Sequence, residues 1–302
     1  MSIEVKGISK SFGEQKVLDN LSFEADKSQI LGFLGPNGAG KTTTMRIITG
    51  SLMPDEGEVY VSGLNNKDHV LEVKRKIGYL AEHNPLYQDM YVREFLDFNA
   101  NIYKIENKKQ KINELIDITG LGKEQNKLIR QLSKGYKQRV GLAQVLIHDP
   151  EVLILDEPTS GLDPNQLREI RNVIKATGKD KTVIFSTHIM QEVQALCDRV
   201  IILNNGKIVA NEAINKLVNT VDLNFKTVIV EFDNEVDIKI LKSLKSINEI
   251  EQISEFQFKI KGKDDKLMKK EILEFAHKKS MTINSIQNEV IDVDKIFAKL
   301  TH

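Results

Sequence analysis

The sequence GPNGAGKTT at residues 35–43 decides the fold of this chain. It fits the pattern G-x-x-x-x-G-K-[ST] and follows the apolar run 30–34, which predicts a buried strand. The residues after it have the spacing of a helix. A strand, a glycine loop and a helix N-terminus form an anion site, because backbone N–H groups and the helix dipole point at one place. The stretch therefore predicts a phosphate-binding loop, the Walker A motif, rather than an ordinary surface loop.

The residue types within this loop suit phosphate chemistry. Glycine is needed where the backbone must bend and approach a phosphate closely. Lys41 adds a full positive charge, and the Thr42 hydroxyl is expected on Mg²⁺ bound with the phosphates. The loop residues predicted to bind the phosphorylated ligand are Gly35, Asn37, Gly38, Ala39, Gly40, Lys41, Thr42 and Thr43.

Length and composition set the class of protein. With 302 residues the chain is expected to form about two domains, and its 43 basic and 43 acidic residues give no overall field for nucleic acid. The single cysteine, Cys197, excludes an intrachain disulfide and is expected to be a buried apolar side chain. No apolar run approaches the roughly 18 residues of a membrane span, and the N-terminus has no signal-peptide pattern. We expect a cytoplasmic protein that reaches a membrane only through a partner.

Residues 1–220 alternate apolar strands with helical stretches, which predicts α/β layering. The runs 152–155 and 182–185 are continuously apolar, as in strands buried on both faces of a parallel sheet. The first segments instead alternate polar and apolar residues, which predicts an antiparallel, one-sided sheet. Between about 85 and 147 the pattern is almost all helical, and it predicts an inserted helical subdomain.

The pattern of apolar residues changes in residues 226–302, and it predicts a second, α+β domain. Apolar residues alternate at 228–232 and 256–260, and helical spacing follows at 268–275 and 293–300. The order strand, helix, strand, strand, helix, strand resembles a ferredoxin-like module. This segment has 14 Lys, 14 acidic residues and no Arg, which argues against a nucleic-acid surface. We expect a regulatory or dimerising role.

Further polar residues follow the predicted parallel strands. Asp156 and Glu157 end the run 152–155, where one carboxylate can hold Mg²⁺ opposite Thr42 and the other can orient or deprotonate a water. An ordinary polar turn is the alternative, which the nearby phosphate loop makes the weaker interpretation. His188 follows the run 182–185 and is expected at the same edge of the sheet.

The motif Leu132-Ser133-Lys134-Gly135-Tyr136 completes the set, and it resembles the signature of ATP-binding-cassette (ABC) ATPases. Across residues 1–220 the motifs occur in the order typical of that family, which is phosphate loop, helical insert, signature, Asp-Glu strand, Ser-Gly-Leu-Asp turn (160–163) and histidine. The chain is similar to single-cassette ATPases of the drug, sodium or gliding-motility export type, and the gliding-motility type is the nearest in detail. The resemblance implies an ATPase that uses ATP and Mg²⁺.

The resemblance also implies a role for each matching residue. Phe12 would stack on the adenine, although strand packing is the alternative. Thr42 and Asp156 would hold Mg²⁺, Glu157 the attacking water and His188 the γ-phosphate. Some positions of the family pattern act between two cassettes, and they lie in the signature and in the turn after the Asp-Glu strand. The matching residues in this sequence are Ser133, Gly135 and Asp163. This implies a head-to-tail homodimer in which the signature of one chain completes the site of the other.

Three residues depart from the family pattern. Glu82 stands where the family often has Gln, and its carboxylate is expected to take part in catalysis and to ligand Mg²⁺ or water. Lys134 replaces the first signature glycine, and it either approaches the opposite γ-phosphate or points to solvent. Tyr136 replaces the signature Gln, which puts one ribose or interface hydrogen bond in doubt.

Two functions remain open at this point. The first is the energising subunit of an exporter, attached to a separate membrane permease on the inner face of the membrane. The second is a non-transport ABC ATPase acting on a ribosome or on DNA. Relatives of the second kind carry two cassettes or a long coiled coil, and neither pattern is present in this sequence. Transport is therefore the preferred hypothesis.

Overall fold

The computed structural model describes residues 1–216 and 226–288, except residues 237, 243, 245 and 280 and the side chain of residue 239. The described chain forms two compact units, the first ending at Ile214 and the second beginning at Asn215. No described helix is both long enough and apolar enough to cross a membrane.

The first unit contains two sheets and seven α-helices among its described residues. The strands are β1 (Ile3–Phe12), β2 (Gln15–Ala25), β3 (Ile30–Leu34), β4 (Glu56–Val61), β5 (Leu64–Asn65), β6 (Ile77–Leu80), β7 (Val152–Asp156), β8 (Thr182–Thr187), β9 (Arg199–Asn204) and β10 (Lys207–Ala213). The helices are α1 (Lys41–Ile48), α2 (Val70–Lys76), α3 (Val92–Ile102), α4 (Lys108–Ile118), α5 (Lys134–Leu146), α6 (Pro164–Gly178) and α7 (Met190–Leu196).

The larger sheet carries the phosphate-binding loop. Its order is β10-β9-β3-β8-β7-β6, with β10 antiparallel and the other pairs parallel. Every residue of β3, β7 and β8 is buried. Helices cover both faces of such a sheet, so polar residues cannot alternate along its strands. The continuous apolar runs therefore form the centre of the sheet, and the α/β prediction is confirmed.

The smaller sheet is antiparallel, with the order β2-β1-β4-β5. Its exposed and buried residues alternate, as the polar and apolar alternation of the first segments predicted. Inward side chains such as Val5 and Leu18 join the same apolar core as Phe33 of β3 and Met45 of α1. The core thus continues from this sheet to the helix that begins at the phosphate-binding loop.

Residues 81–151, all of which the structure describes, contain α3, α4, a 3-10 turn (Ile129–Gln131) and α5. The only strand-like feature in this range is an isolated bridge between Tyr91 and Leu128. The helices expected between residues 85 and 147 are therefore present. α5 begins inside the signature motif, where the Ser133 hydroxyl caps the helix.

The parallel topology brings distant segments to one edge. The carboxyl ends of neighbouring parallel strands lie together, and ligands bind there in open α/β sheets. In this sheet β3 leads into the loop 35–43, β6 into Glu82, β7 into Glu157 and β8 into His188. The strand β6, which leads into Glu82, was not predicted from the sequence.

The second unit contains one antiparallel sheet and two described helices. The elements are β11 (Lys226–Phe232), α8 (Ile238–Leu241), β12 (Glu249–Gln252), β13 (Gln257–Gly262), α9 (Asp265–Lys278) and β14 (Ile283–Asn288), with the strand order β12-β13-β11-β14. Alternate residues of β11 and β13 pack against Met268, Ile272 and Phe275 of α9. The helix expected at 293–300 lies outside the described residues.

A chain that ends at residue 225 is expected to keep the fold of the first unit, because the residues that form both of its sheets lie before Ile214. Its thermal unfolding and its circular dichroism, measured beside the full-length chain, check this. If the shortened chain is insoluble or lacks a cooperative unfolding transition, the boundary near residue 220 is wrong.

Candidate active site

A polar cleft of about 420 Å³ opens at the carboxyl edge of the parallel sheet. Its lining combines the phosphate-binding loop with residues that follow three other strands. The lining residues are Gln15, Val17, Asn37, Gly38, Gly40, Lys41, Thr42, Thr43, Glu82, Glu157, Ser160 and His188. The structure thus brings together most of the predicted loop residues with Glu82, Glu157 and His188.

Two glycines of the loop are required by their surroundings. Gly40 has a φ of 106°, and a Cβ there would lie 2.5 Å from Cδ2 of Leu18. A Cβ on Gly35 would lie 2.6 Å from the carbonyl oxygen of Leu203. Gly38 also has a positive φ, of 81°, but the space beside it is open. The backbone therefore turns tightly into α1 and leaves the N-terminus of that helix open to a ligand.

Lys41 is held close to its own loop. Its ammonium donates to the carbonyl of Gly35 at 2.7 Å and to that of Pro36 at 3.3 Å, and it lies 3.4 Å from Oε1 of Glu157. The lysine side chain is only 6% exposed. The positive charge is therefore placed at the floor of the cleft, between the loop and the Asp-Glu strand.

Asp156 has one carboxylate oxygen engaged and one open. Oδ1 accepts from the Ser186 hydroxyl at 2.6 Å, while Oδ2 is buried and accepts no hydrogen bond. A buried, unsatisfied carboxylate oxygen at this edge fits a hard cation. Thr42 and Glu82, the other predicted Mg²⁺ ligands, line the cleft. The described residues contain no cluster of three or more His, Cys, Asp or Glu that could hold a metal by themselves.

Burial and the charge of Asp156 also act on a neighbouring tyrosine. They raise the pKa of Tyr79, in β6, to about 12, and burial makes the larger contribution. The Tyr79 hydroxyl therefore stays protonated throughout the physiological range. No second negative charge develops beside Asp156.

Glu157 is the centre of the hydrogen-bonded network in the cleft. It has a φ of 48°, a left-handed conformation that costs a non-glycine residue about 1–2 kcal/mol. Its backbone N–H donates to the carbonyl and hydroxyl oxygens of Ser186, at 3.2 and 3.0 Å. Its Oε2 lies 2.9 Å from Nδ1 of the half-exposed His188. An ionised carboxylate only accepts, so Nδ1 carries the proton in this pair.

Ser186 was missed as a site residue by the sequence reasoning. Its hydroxyl donates to the Asp156 carboxylate and accepts from the backbone N–H of Glu157, so it holds one carboxylate and the backbone that carries the other. The available signal was a hydroxyl at the end of a buried strand, two residues before His188. A buried hydroxyl needs a hydrogen-bond partner, and the partner of this one lies on the neighbouring strand.

Phe12 does not line the cleft. It is half-exposed at the end of β1, and the Lys10 ammonium lies 5.8 Å from the centre of its ring. Its strand partner is Gln15, which lines the cleft together with Val17. Adenine stacking on Phe12 therefore stays a prediction.

The signature residues form a separate surface that does not line the cleft, here called the signature patch (133–135, Gly161 and Asp163). Ser133 caps α5 by accepting from the Tyr136 N–H at 3.4 Å, and Asp163 caps α6. The Lys134 ammonium lies 2.5 Å from the position that a Cβ on Gly161 would occupy. Lys134 therefore covers the 160–163 turn of its own chain.

The comparisons with known proteins agree with this geometry. The family model described as "ABC transporter" matches residues 18–160. The bacitracin transport ATP-binding protein BcrA of Bacillus licheniformis is 41% identical over 208 residues, 68% of each chain. The Nod factor export ATP-binding protein I of Ralstonia nicotianae is 34% identical, over 72% of this chain and 68% of that protein.

Solved structures show the same likeness. A structure described as the ATP-binding subunit of an ABC transporter has a TM-score of 0.67 at 27% identity, over 73% of this chain and 93% of that one. The dimeric cassette MJ0796 has a TM-score of 0.65 at 26% identity, over 70% and 98%. The same cassette is also known in a post-hydrolysis state with ADP and phosphate.

A phosphate-binding loop, an Asp-Glu strand and a signature helix in this fold define an ABC cassette. The chain belongs to the ATP-binding proteins of the ABC transporter family. It is an ATPase, which converts ATP and water to ADP and phosphate. The more specific prediction of a gliding-motility type is not supported by these matches.

Gly40→Ala is expected to destabilise the protein more than Gly63→Ala. Both positions have a positive φ, which costs alanine about 1–3 kcal/mol. Only at Gly40 does the added carbon meet another side chain, at a further cost of about 1–3 kcal/mol. Urea unfolding of the two variants measures the difference, and equal losses would show that Leu18 yields to the methyl group.

Proposed function

We propose that this chain is the ATP-hydrolysing subunit of an ABC exporter, coupled to a separate membrane permease at the inner face of the membrane. The observation that carries the proposal is the position of Glu157, which lies between Lys41 and His188 at the cleft. The names of the two relatives refer to bacitracin transport and to Nod factor export. These descriptions favour export over the alternative of an ATPase acting on a ribosome or a nucleic acid.

The loop provides phosphate binding. Backbone N–H groups at the start of α1 and the Lys41 ammonium face the cleft and supply the positive potential that triphosphate needs. Thr42, Asp156 and Glu82 would hold Mg²⁺, and the open Oδ2 of Asp156 supports this assignment. When bound, the cation neutralises the charge on the phosphate oxygens.

Glu157 and His188 provide the chemistry. A water held by the Glu157 carboxylate loses its proton to that carboxylate as its oxygen bonds to the γ-phosphorus. The bond from that phosphorus to the oxygen of ADP breaks in the same displacement, and the charge stays on the leaving oxygen. His188 fixes the orientation of Glu157 through Nδ1 and contacts the γ-phosphate. The first role is supported by the 2.9 Å contact between the two side chains, and the second by the sequence resemblance and by the position of His188 in the cleft lining.

A second copy of the chain would complete the site. Ser133, Gly135 and Asp163 do not line the cleft of their own chain, although the sequence resemblance gives them contacts at the nucleotide. A head-to-tail homodimer places the signature patch of one chain over the cleft of the other. The dimeric form of the MJ0796 cassette supports this arrangement.

The domain assignment follows the same reasoning. We propose a cassette over residues 1–220, with a helical subdomain at about 85–147, and an accessory domain over 226–302. The order of its described elements and the antiparallel order β12-β13-β11-β14 support a ferredoxin-like fold for the accessory domain. A regulatory or dimerising role is proposed for it, and gliding motility is the proposed process that the exporter serves.

Glu157→Gln is expected to keep ATP binding and to lower kcat by about 100- to 10,000-fold, because the amide cannot accept the proton of the water. Nucleotide binding and phosphate release measure the two effects separately. Turnover at the wild-type rate would show that Glu157 is not the base.

Mixing two inactive variants tests the shared site. Lys41→Ala damages the cleft and Ser133→Arg damages the signature, so each homodimer is inactive. Random pairing makes half of the dimers mixed, each with one intact site, and recovers at most about a quarter of the wild-type ATPase rate. Lack of recovery, after native mass spectrometry has shown that the chains exchange, would argue against a site made by two chains.

A further inference from the structure

A buried carboxylate lies behind the candidate site and does not line the cleft. Glu192, in α7, is only 1% exposed. Its Oε2 accepts from the Thr159 hydroxyl at 2.8 Å and from the Thr187 hydroxyl at 2.7 Å. Burying a carboxylate is costly unless hydrogen bonds replace those of water, so the two hydroxyls stabilise the charge where it is.

The two threonines belong to the segments that carry the proposed catalytic pair. Thr159 follows Glu157 by two residues, and Thr187 immediately precedes His188. Both threonines are buried, and Thr187 also accepts from the backbone N–H of Ile189 at 3.1 Å. A single oxygen atom of Glu192 therefore joins the segment after β7 to the segment after β8.

The other oxygen of this carboxylate is directed at a charge on α6. Oε1 of Glu192 lies 4.0 Å from a terminal nitrogen of Arg171 and accepts no hydrogen bond. Arg171 is in α6, whose first turn is capped by Asp163 of the signature patch. The carboxylate thus contacts three elements, and each of them carries a residue of the proposed site.

We propose that Glu192 is a positioning residue for ATP hydrolysis. By holding Thr159 and Thr187 at one atom, it fixes the separation of Glu157 from His188, which lie 2.9 Å apart. It does not touch the nucleotide, so it acts on turnover rather than on binding. This inference rests on the proposed roles of Glu157 and His188.

The sharpest test removes the hydroxyls and keeps the volume of the side chains. Thr159→Val and Thr187→Val are each expected to lower kcat by about 10- to 100-fold, as a small displacement of catalytic groups does. The KM for ATP is expected to stay within about twofold, because the loop that binds the phosphates is untouched. Steady-state phosphate release over a range of ATP concentrations gives both constants.

Thr182→Val is the matched control. Thr182 is a buried threonine at the opposite end of the same strand, and its hydroxyl donates to the Asp26 carbonyl and is hydrogen-bonded to the Ser2 hydroxyl. This variant is expected to lose stability in urea unfolding without a change in kcat. Glu192→Gln retains an acceptor oxygen for both hydroxyls and should recover part of the activity lost in Glu192→Ala.

Several results would overturn the proposal. One is an unchanged kcat in both Thr159→Val and Thr187→Val, and these variants decide the matter even if Glu192→Ala does not fold. Another is a loss of kcat with a parallel rise in KM that Thr182→Val reproduces, which would leave only a structural role. The Glu157→Gln variant distinguishes a failure of the proposed function from a failure of the role proposed for Glu192. If Glu157→Gln hydrolyses ATP at the wild-type rate, the catalytic role of Glu157 is wrong, and the positioning role of Glu192 is wrong with it. If Glu157→Gln is inactive while the threonine variants keep full kcat, only the positioning role of Glu192 is wrong.

Discussion

The burial of opposite charges at one edge of a parallel sheet is the constraint on which this structure depends. Asp156 and Glu157 lie at the end of β7 and Lys41 is the first residue of α1, and each is almost inaccessible to solvent. Removing such charges from water costs several kcal/mol each unless other groups replace the water. Backbone carbonyls, a serine hydroxyl and a histidine ring make that replacement here. The sheet is therefore precise at this edge, because a displaced strand would leave a charge without a partner.

Much of the fold and part of the site follow from local sequence. The runs at 152–155 and 182–185 are apolar at every position because helices cover both faces of their sheet, and this pattern alone identified two central strands. The phosphate-binding loop was recognisable because glycine positions and a following lysine are set by contacts within a few residues. The strand that leads into Glu82 is four residues long and contains a glycine, so its sequence has little strand signal.

The remaining site residues are fixed only by tertiary contacts. Ser186 bonds to residues on the next strand, 30 and 29 positions earlier in the chain, and Thr159 meets Glu192 across 33 positions. No local pattern marks a hydroxyl that will find a carboxylate so far away. The direction of Lys134 was equally undecided in the sequence, because it depends on the open surface left by Gly161 on another loop. Such residues depend on strand order, which periodicity does not report.

The contacts of Lys41 affect how a nucleotide can bind in the cleft. The Lys41 ammonium is bonded to the carbonyls of Gly35 and Pro36 and paired with Glu157. A triphosphate must therefore compete with ligands that the protein itself supplies, which weakens binding by the free energy of those contacts. The proposed base, Glu157, thus shares a lysine with the phosphates that this loop is proposed to bind.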